Sequence, residues 1–448
     1  MLSNDLLLGS FLEAADPMDI KEWLYSLNRT GRRKQLIKAW KELVDRGQYH
    51  TKFELIQAFV KSELLPLFKG TECGPDIEAA RYVARLIQAP HDETHLIAGP
   101  YLKPLVNRLK AKWHWDNWIF YASVPPDKLN KWLHKHCTAT SWFWSDYSAF
   151  DATWTSNSWD MVESIYKKIY PDADPDFWRV LSIWRQPHGK MRSRKEDIKI
   201  EYWADVCNAS GRDDTALANA LFNGLALALA ISAALCNKAP SAVNAADLAV
   251  ASELVAIAIV GDDSLCACSF DATVYQSQIV KNLESFGLQV AAETSHSLVD
   301  VTFLGMMPYM VNGSFYWGPT LGRRMYKAFW QREPIGNLPA WTRGVAQQLM
   351  LFRNVPILYE LAQRVDSLLA GQKVTRVQFD ENRPWTAITD EMPQWDSQTV
   401  DWLCARYRKQ GLTRQDVFRD LKVIRSIRRL PAVVHLTTLD IAVSTDDL

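Results

Sequence analysis

The sequence has no surplus of charge. Its 51 Lys and Arg are balanced by 51 Asp and Glu, so no global basic signal marks it for nucleic acid. Its 7 cysteines are scattered and include no C-x-x-C pair. That excludes zinc-ribbon spacing and a disulfide scaffold, and suits a reducing compartment. No G-x4-G-K-[ST] loop is present, which argues against a P-loop NTPase or helicase. The opening residues, MLSNDLLLGSFLEAADP, lack the basic n-region of a secretory signal. There is no internal repeat and no low-complexity segment. One stretch alone, ALANALFNGLALALAISAALC at 216–236, approaches the length of a membrane span. Asn219 and Asn223 sit near its start and its flanks lack a Lys/Arg bias. It reads as a buried core helix, and no transmembrane segment is expected.

What is present is a chain of 448 residues with 48% hydrophobic content and 19 tryptophans, enough for a large multi-lobed core. Basic residues cluster locally, at 29–41 and again at 406–429. Such runs are either phosphate-binding faces or solvated helix faces. Residues 1–65 read as helical, with amphipathic runs at 19–46 and 52–65. Residues 66–140 carry seven prolines that break them into short pieces. SWFWSDYSAF (141–150) reads as a strand ending at an acid. The pattern at 155–170 predicts a helix capped by Ser156 or Asn157. Residues 188–203 read as an exposed basic hairpin, and 237–252 as a polar, Ala-rich link. Residues 274–290 predict an amphipathic helix stopped by Gly287. A second hairpin is expected over 301–319, turning at VNGS.

The most informative stretch is AIAIVGDDSLCACSF, residues 256–270. Leu254–Val260 is unbroken apolar sequence and Ser264–Cys268 nearly so. These predict paired strands with GDD as the turn and Gly261 supplying the backbone freedom. Taken alone, the tripeptide is better read as a plain acidic β-turn, and it is the neighbours that change the reading. A second acidic strand end exists at Asp146, with Asp151 five residues later. With the two strands side by side, Asp146 faces Asp262. Two bare carboxylates about 4 Å apart repel by roughly 4 kcal/mol at an effective dielectric near 20. The arrangement therefore takes up protons or binds a metal. Carboxylate oxygens without His or thiolate suit Mg²⁺ or Mn²⁺. HDETH (91–95) has its acid at the wrong offset for a zinc-hydrolase helix, and HKH (134–136) reads as surface.

The neighbours come in a recognisable order: FVKSE (59–63), ARLIQAP (84–90), DYSAFD (146–151), SGRDDTALAN (210–219), GDD (261–263) and FLG (303–305). Over about residues 55–330 this series resembles the motifs of viral RNA-dependent RNA polymerases. It is most similar to those of positive-strand viruses of the tombus-like and nodavirus-like groups. The resemblance implies that Asp146 and Asp262 hold two metal ions, Mg²⁺ or Mn²⁺, with Asp263 a more peripheral acid. It implies that Asp151 and Asn219 sense the incoming ribose, whose 2′-hydroxyl both donates and accepts. Thr215, Asn219 and Asn223 recur every four residues and form a polar stripe expected to face a nucleotide; helix-contact hydrogen bonding is the plainer alternative. Ser210 and Gly211 correspond to a flexible loop touching template or nucleotide. Asp213 and Asp214 are expected in the first helical turn, without a catalytic role. Lys61 and Arg85 correspond to basic residues that meet the triphosphate, with Arg81 on the same strand face. Arg323 and Arg324 are candidates for RNA phosphate contacts.

The sequence departs from the family in two places. YVAR stands where Lys-Pro-Arg is common, and no lysine lies between Gly287 and Phe303, where many members carry a proposed general acid. His296 is the titratable base in that interval and the candidate for the role. The fold implied is α+β, a right hand of fingers, palm and thumb with an antiparallel-sheet palm and a helical thumb. On that reading residues 1–140 are N-terminal region and fingers, with a basic fingertip motif at 58–90. Residues 141–170 and 205–319 form the palm, 171–204 a fingers insertion and 320–448 the thumb. The implied activity is templated RNA synthesis from nucleoside triphosphates (NTPs), replicating a viral RNA genome. The implied partners are template and product RNA, NTPs and other viral replication proteins. The implied location is the host cytoplasm, on membrane-associated complexes through partners. Reverse transcription is disfavoured by Asp151 and Asn219. A membrane-embedded interaction protein built on 216–236 and a catalytically dead scaffold are the other readings.

Overall fold

A computed structural model of the chain describes residues 7–49, 54–60, 86–113, 118–120, 126–192, 198–321, 336–372, 392–408 and 413–415. It divides into two compact units. One comprises residues 1–62, 83–122 and 143–294; the other comprises 63–82, 123–142 and 295–448. Helices and mostly antiparallel sheets make the fold α+β.

The first unit is organised around a five-stranded sheet. Its strand order is Trp118–Phe120, Val255–Val260, Asp263–Cys268, Ser141–Tyr147, Val290–Ser295. The central pair is a tight antiparallel hairpin in which Val260 pairs with Asp263, so the loop is Gly261 and Asp262 alone. Asp263 thus begins the second strand, one residue earlier than the apolar run suggested. Gly261 has φ +62 and Asp262 an ordinary negative φ, the sign pattern of a II′ turn, which matches the right-handed twist of the strands it joins.

Helix Thr215–Leu235 is the core of this unit. Seventeen of its residues, among them Leu217, Phe222, Leu225 and Ile231, are buried. It packs with Ile257 and Ile259 of the hairpin, Ile279 and Leu283 of helix Ala272–Glu284, and Val162 and Ile165 of helix Ser156–Ile169. Among the described residues it is the one helix long and apolar enough to cross a membrane, and 89% of its apolar window is buried inside the protein.

Local chemistry explains several boundaries. Thr155, not Ser156 or Asn157, caps helix Ser156–Ile169, its hydroxyl accepting from Ser158 N–H at 3.3 Å. Helix Asp92–Lys112 runs through Pro100 and Pro104 instead of breaking there. Pro104 has no N–H for the Pro100 carbonyl, and that carbonyl accepts from Met18 N–H at 3.0 Å instead. The Ala-rich link holds a further helix, Ala245–Leu254, started by an Asn244 capping box. The helix expected over 52–65 is not found in its described part, 54–60. Ile56–Val60 is a strand, antiparallel to Leu86–Ala89 and parallel to His188–Arg192, whose other neighbour is Lys199–Trp203.

The second unit holds hairpin Met306–Val311/Ser314–Pro319, which turns at Asn312 and Gly313 with φ +50 and +75. Helices Leu338–Leu349, Pro356–Leu368 and Ser397–Arg406 bury Val345, Leu361 and Leu403 in its core with Tyr309. Helix Pro126–His136 belongs here too: its Asn130 accepts from the Trp317 N–H at 2.8 Å.

Candidate active site

The strand carrying Asp146, Ser141–Tyr147, and the hairpin carrying Asp262 and Asp263 are neighbours in the sheet. One contact marks where they meet: the Ser145 and Ser264 hydroxyls, 119 residues apart in sequence, lie 2.5 Å from each other. Ser145 is near the end of its strand and Ser264 near the start of its own. With those two opposite, the strands pair along their length only if they run antiparallel. Asp146 directly follows Ser145, and Asp262 and Asp263 directly precede Ser264, so the acids lie at adjacent strand ends. Side-chain alternation sends Ser145 and Ser264 inward, where both are buried, and Asp146 and Asp263 to the other face. Asp146 is exposed; Asp262 and Asp263 are half-buried.

The turn is held from below by Asn223, which is fully buried. Its Nδ2 donates to the Asp262 carbonyl at 2.8 Å and the Gly261 carbonyl at 3.2 Å. Its Oδ1 accepts from the Tyr147 hydroxyl at 2.8 Å. Tyr147 in turn donates its backbone N–H to the Asp146 carboxylate at 2.9 Å. One amide therefore ties the turn bearing the second aspartate to the residue beside the first. Burial keeps the Tyr147 phenol protonated by raising its pKa, with Asp262 adding to the shift. Asn223 thus faces the turn, which corrects the expectation that the whole polar stripe faces a nucleotide. Thr215 departs from it too: its hydroxyl donates to the carbonyls of Ala209 and Arg212 at 3.2 and 3.4 Å.

Asn219 does meet Asp151. Its Nδ2 donates to the Asp151 carboxylate at 2.8 Å, and its Oδ1 accepts from the Asn208 side chain. Asn208, which no sequence pattern singled out, is fully buried and donates its backbone N–H to the Asp151 carbonyl at 2.8 Å.

Ser210 and Gly211 lie on the loop before the helix, pinned to strand Leu86–Ala89. The Ser210 carbonyl accepts from Gln88 N–H at 2.9 Å, and its hydroxyl donates to the Leu86 carbonyl at 3.1 Å. Gly211 has φ +112, and a Cβ there would stand 2.6 Å from the Gln88 carbonyl oxygen, so only glycine fits. Asp213 and Asp214 are not in the first helical turn. They precede Thr215, and each has its own cation or ring partner. Asp213 meets His95 Nδ1 at 2.9 Å. Asp214, fully buried, meets Arg212 at 2.9 Å and accepts from the Tyr166 hydroxyl at 3.3 Å. The Arg212 guanidinium lies 4.1 Å from the Trp159 ring centroid and 5.2 Å from that of Trp184. Burial pushes the Asp214 carboxyl above its ordinary range, with Arg212 opposing.

The members of HDETH have three separate jobs. His91 caps the helix, Glu93 pairs with Arg46 at 2.5 Å, and His95 pairs with Asp213. Burial pushes the Cys268 thiol up to about 12 and Cys266 well above its usual value, so both stay protonated in the core. His296 lies in the second unit, its Nδ1 3.2 Å from the Thr140 carbonyl. Lys61, Arg81, Arg85, Arg323 and Arg324 lie outside the described residues.

Among the described residues, no three His, Cys, Asp or Glu side chains converge as a ready-made metal cage. An all-oxygen pair at strand ends suits an ion that completes its shell with water and phosphate oxygens, as Mg²⁺ does.

The profile of the family described as viral RNA-dependent RNA polymerase matches residues 84–325, more than half of the chain. The chain belongs to that family. The match takes in Asp146, Asp151, the Ser210–Asn219 segment and GDD. No curated protein matches the chain. The polymerase is a nucleotidyltransferase that binds RNA and NTPs, and its family works with divalent metal ions.

Proposed function

We propose that this polymerase copies a viral RNA genome by two-metal nucleotidyl transfer at the Asp146–GDD face. The observation that carries the reading is the Ser145–Ser264 contact, which brings two acidic segments 119 residues apart to adjacent strand ends. Asp146 and Asp262 would hold two Mg²⁺ or Mn²⁺ ions, with Asp263 completing the acidic edge. When bound, the ions stabilise the attacking 3′-hydroxyl oxygen and the leaving pyrophosphate. The chain's own part is placement. Asn223 sets the height of the turn, and Tyr147 N–H orients the Asp146 carboxylate. Asp151 and Asn219 read the 2′-hydroxyl, while the pinned Ser210–Gly211 loop lies against the templating base or nucleotide. Lys61, Arg81 and Arg85 bind the triphosphate and Arg323 and Arg324 the RNA backbone, and His296 is the candidate proton donor to pyrophosphate.

On this reading the enzyme is a tombus-like or nodavirus-like polymerase, which the order of its motifs supports. Residues 1–140 and 171–204 are fingers, 141–170 and 205–319 palm, and 320–448 thumb. It works in the host cytoplasm, with other viral replication proteins as its link to membranes.

The test is extension of an RNA primer on an RNA template with labelled NTPs. Wild type should extend only with Mg²⁺ or Mn²⁺, and Asp262→Ala should abolish extension. Extension unchanged in Asp262→Ala would end the proposal.

A further inference from the structure

We infer that Asn208 is a specificity-determining positioning residue that fixes which way the Asn219 amide points and so sets discrimination between ribose and deoxyribose. The inference rests on Asp151 and Asn219 being the ribose reader.

An Asn side chain can turn its NH₂ or its oxygen toward a partner, and the two choices are opposite in hydrogen-bonding sense. Here the choice is made from both sides. The Asp151 carboxylate accepts only, so Asn219 must turn Nδ2 to it, at 2.8 Å. The Asn219 Oδ1 is then met by the Nδ2 of Asn208. Both asparagines are buried, at 0% and 4% exposure, so water is a poor substitute for either partner. Asn208 keeps this orientation although its own Oδ1 finds no hydrogen-bond partner among the described residues. The order of donation, Asn208 to Asn219 to Asp151, is thus held at both ends, by the accept-only carboxylate and by the Asn208 amide.

The backbone of Asn208 is held just as firmly. Its N–H donates to the Asp151 carbonyl at 2.8 Å, and the Trp159 indole donates to the preceding carbonyl, that of Cys207, at 3.0 Å. On the other side, the Thr215 hydroxyl donates to the Ala209 carbonyl at 3.2 Å. The donor is therefore presented from a rigid segment, as a specificity site requires.

The consequence is chemical. With Oδ1 engaged by Asn208, Asn219 presents its second N–H beside the Asp151 carboxylate. A 2′-hydroxyl can donate to the carboxylate and accept from that N–H at once. A deoxynucleotide does neither, so the carboxylate and that N–H each forgo one hydrogen bond, which is how a polar site discriminates against an analogue lacking a hydroxyl. Without the Asn208 donor, the Asp151 bond alone holds the Asn219 amide, its Oδ1 loses a partner, and the acceptor–donor pair is lost for part of the time.

The experiment is single-nucleotide incorporation of ATP and dATP opposite template U, giving kcat/KM for each. Asn208→Ala and the near-isosteric Asn208→Leu should each lower the ATP/dATP ratio about tenfold, which is about 1.4 kcal/mol of discrimination. The fall should come mainly from poorer use of ATP. General damage lowers both nucleotides together and leaves the ratio alone. In an Asn219→Ala background the second substitution should change the ratio no further. A wild-type ratio in both Asn208 variants, with a lowered ratio in Asn219→Ala, would overturn the inference and leave the ribose reading intact. A wild-type ratio in Asn219→Ala would overturn the ribose reading itself.

Discussion

Replacing Asn223 with Leu removes the amide that joins the GDD turn to Tyr147 while keeping much of its volume. Three hydrogen bonds are lost: to the Asp262 and Gly261 carbonyls and from the Tyr147 hydroxyl. At ~1 kcal/mol net for each, the loss is about 3 kcal/mol, and it grows if the stranded groups stay dry. That is a large share of the roughly 5–15 kcal/mol typical of a folded domain. The damage is also directional, because the freed atoms belong to the two segments that carry Asp146 and Asp262. The concentration of Mg²⁺ needed for half-maximal extension should therefore rise at least about tenfold, which is about 1.4 kcal/mol of the loss, alongside a lowered denaturation midpoint. Asn223→Ala should act in the same direction. Ser232 supplies the control: it is buried on the same helix, and its hydroxyl donates to that helix's own Ala228 carbonyl at 2.7 Å. Ser232→Ala should leave the Mg²⁺ requirement unchanged. An Asn223→Leu enzyme with normal metal dependence would show that the amide does not set the spacing of the two acids.

Other expectations follow from the same geometry. Arg212→Leu strands the buried Asp214 carboxylate and should cost about 3–5 kcal/mol, read by chemical denaturation, with the double variant Arg212→Leu/Asp214→Leu recovering most of it. Asp214 already has a raised folded-state pKa, so the folded state holds its proton more tightly than the unfolded state does. Stability linked to this group is fully present below the ordinary carboxylate pKa and is lost as pH rises through the raised one. Loss of Arg212 raises that pKa further, so the Arg212→Leu deficit should grow as pH rises above the wild-type folded-state pKa and shrink as pH is lowered back to it; a deficit constant with pH throughout would contradict it. Gly211→Ala forces a side chain into φ +112 against the Gln88 carbonyl and should cost about 1–3 kcal/mol in strain alone, with loss of extension activity. RNA affinity should fall as salt rises, linearly on a log–log plot, despite the balanced net charge.

Much of the site was legible because its signals are local. Apolar runs on either side of Gly261 announce a hairpin, and the acids stand out against them. The buried Thr215–Leu235 helix follows from composition and its two early asparagines. What the sequence could not carry was the choice among partners. Ile56–Val60 is compatible with a helical pattern, and its strand state comes from neighbours far along the chain, Leu86–Ala89 and His188–Arg192. Helix Asp92–Lys112 survives its prolines because the Met18 N–H takes up the freed carbonyl. Helical spacing places Asn219 and Asn223 on one stripe, yet cannot tell that one reaches Asp151 and the other the turn. Asn208 belongs to no periodic pattern. Its position two residues before Ser210 was the available signal, and its role depends on a contact across the loop.

The central claim is that Asp146 and the GDD acids share bound metal. Mn²⁺ titration followed by electron paramagnetic resonance tests it directly, on the polymerase bound to template–primer RNA and a non-hydrolysable NTP. Two bound ions per chain are expected for wild type, with binding lost or severely weakened in both Asp146→Ala and Asp262→Ala. Unchanged Mn²⁺ binding in either variant would contradict the account.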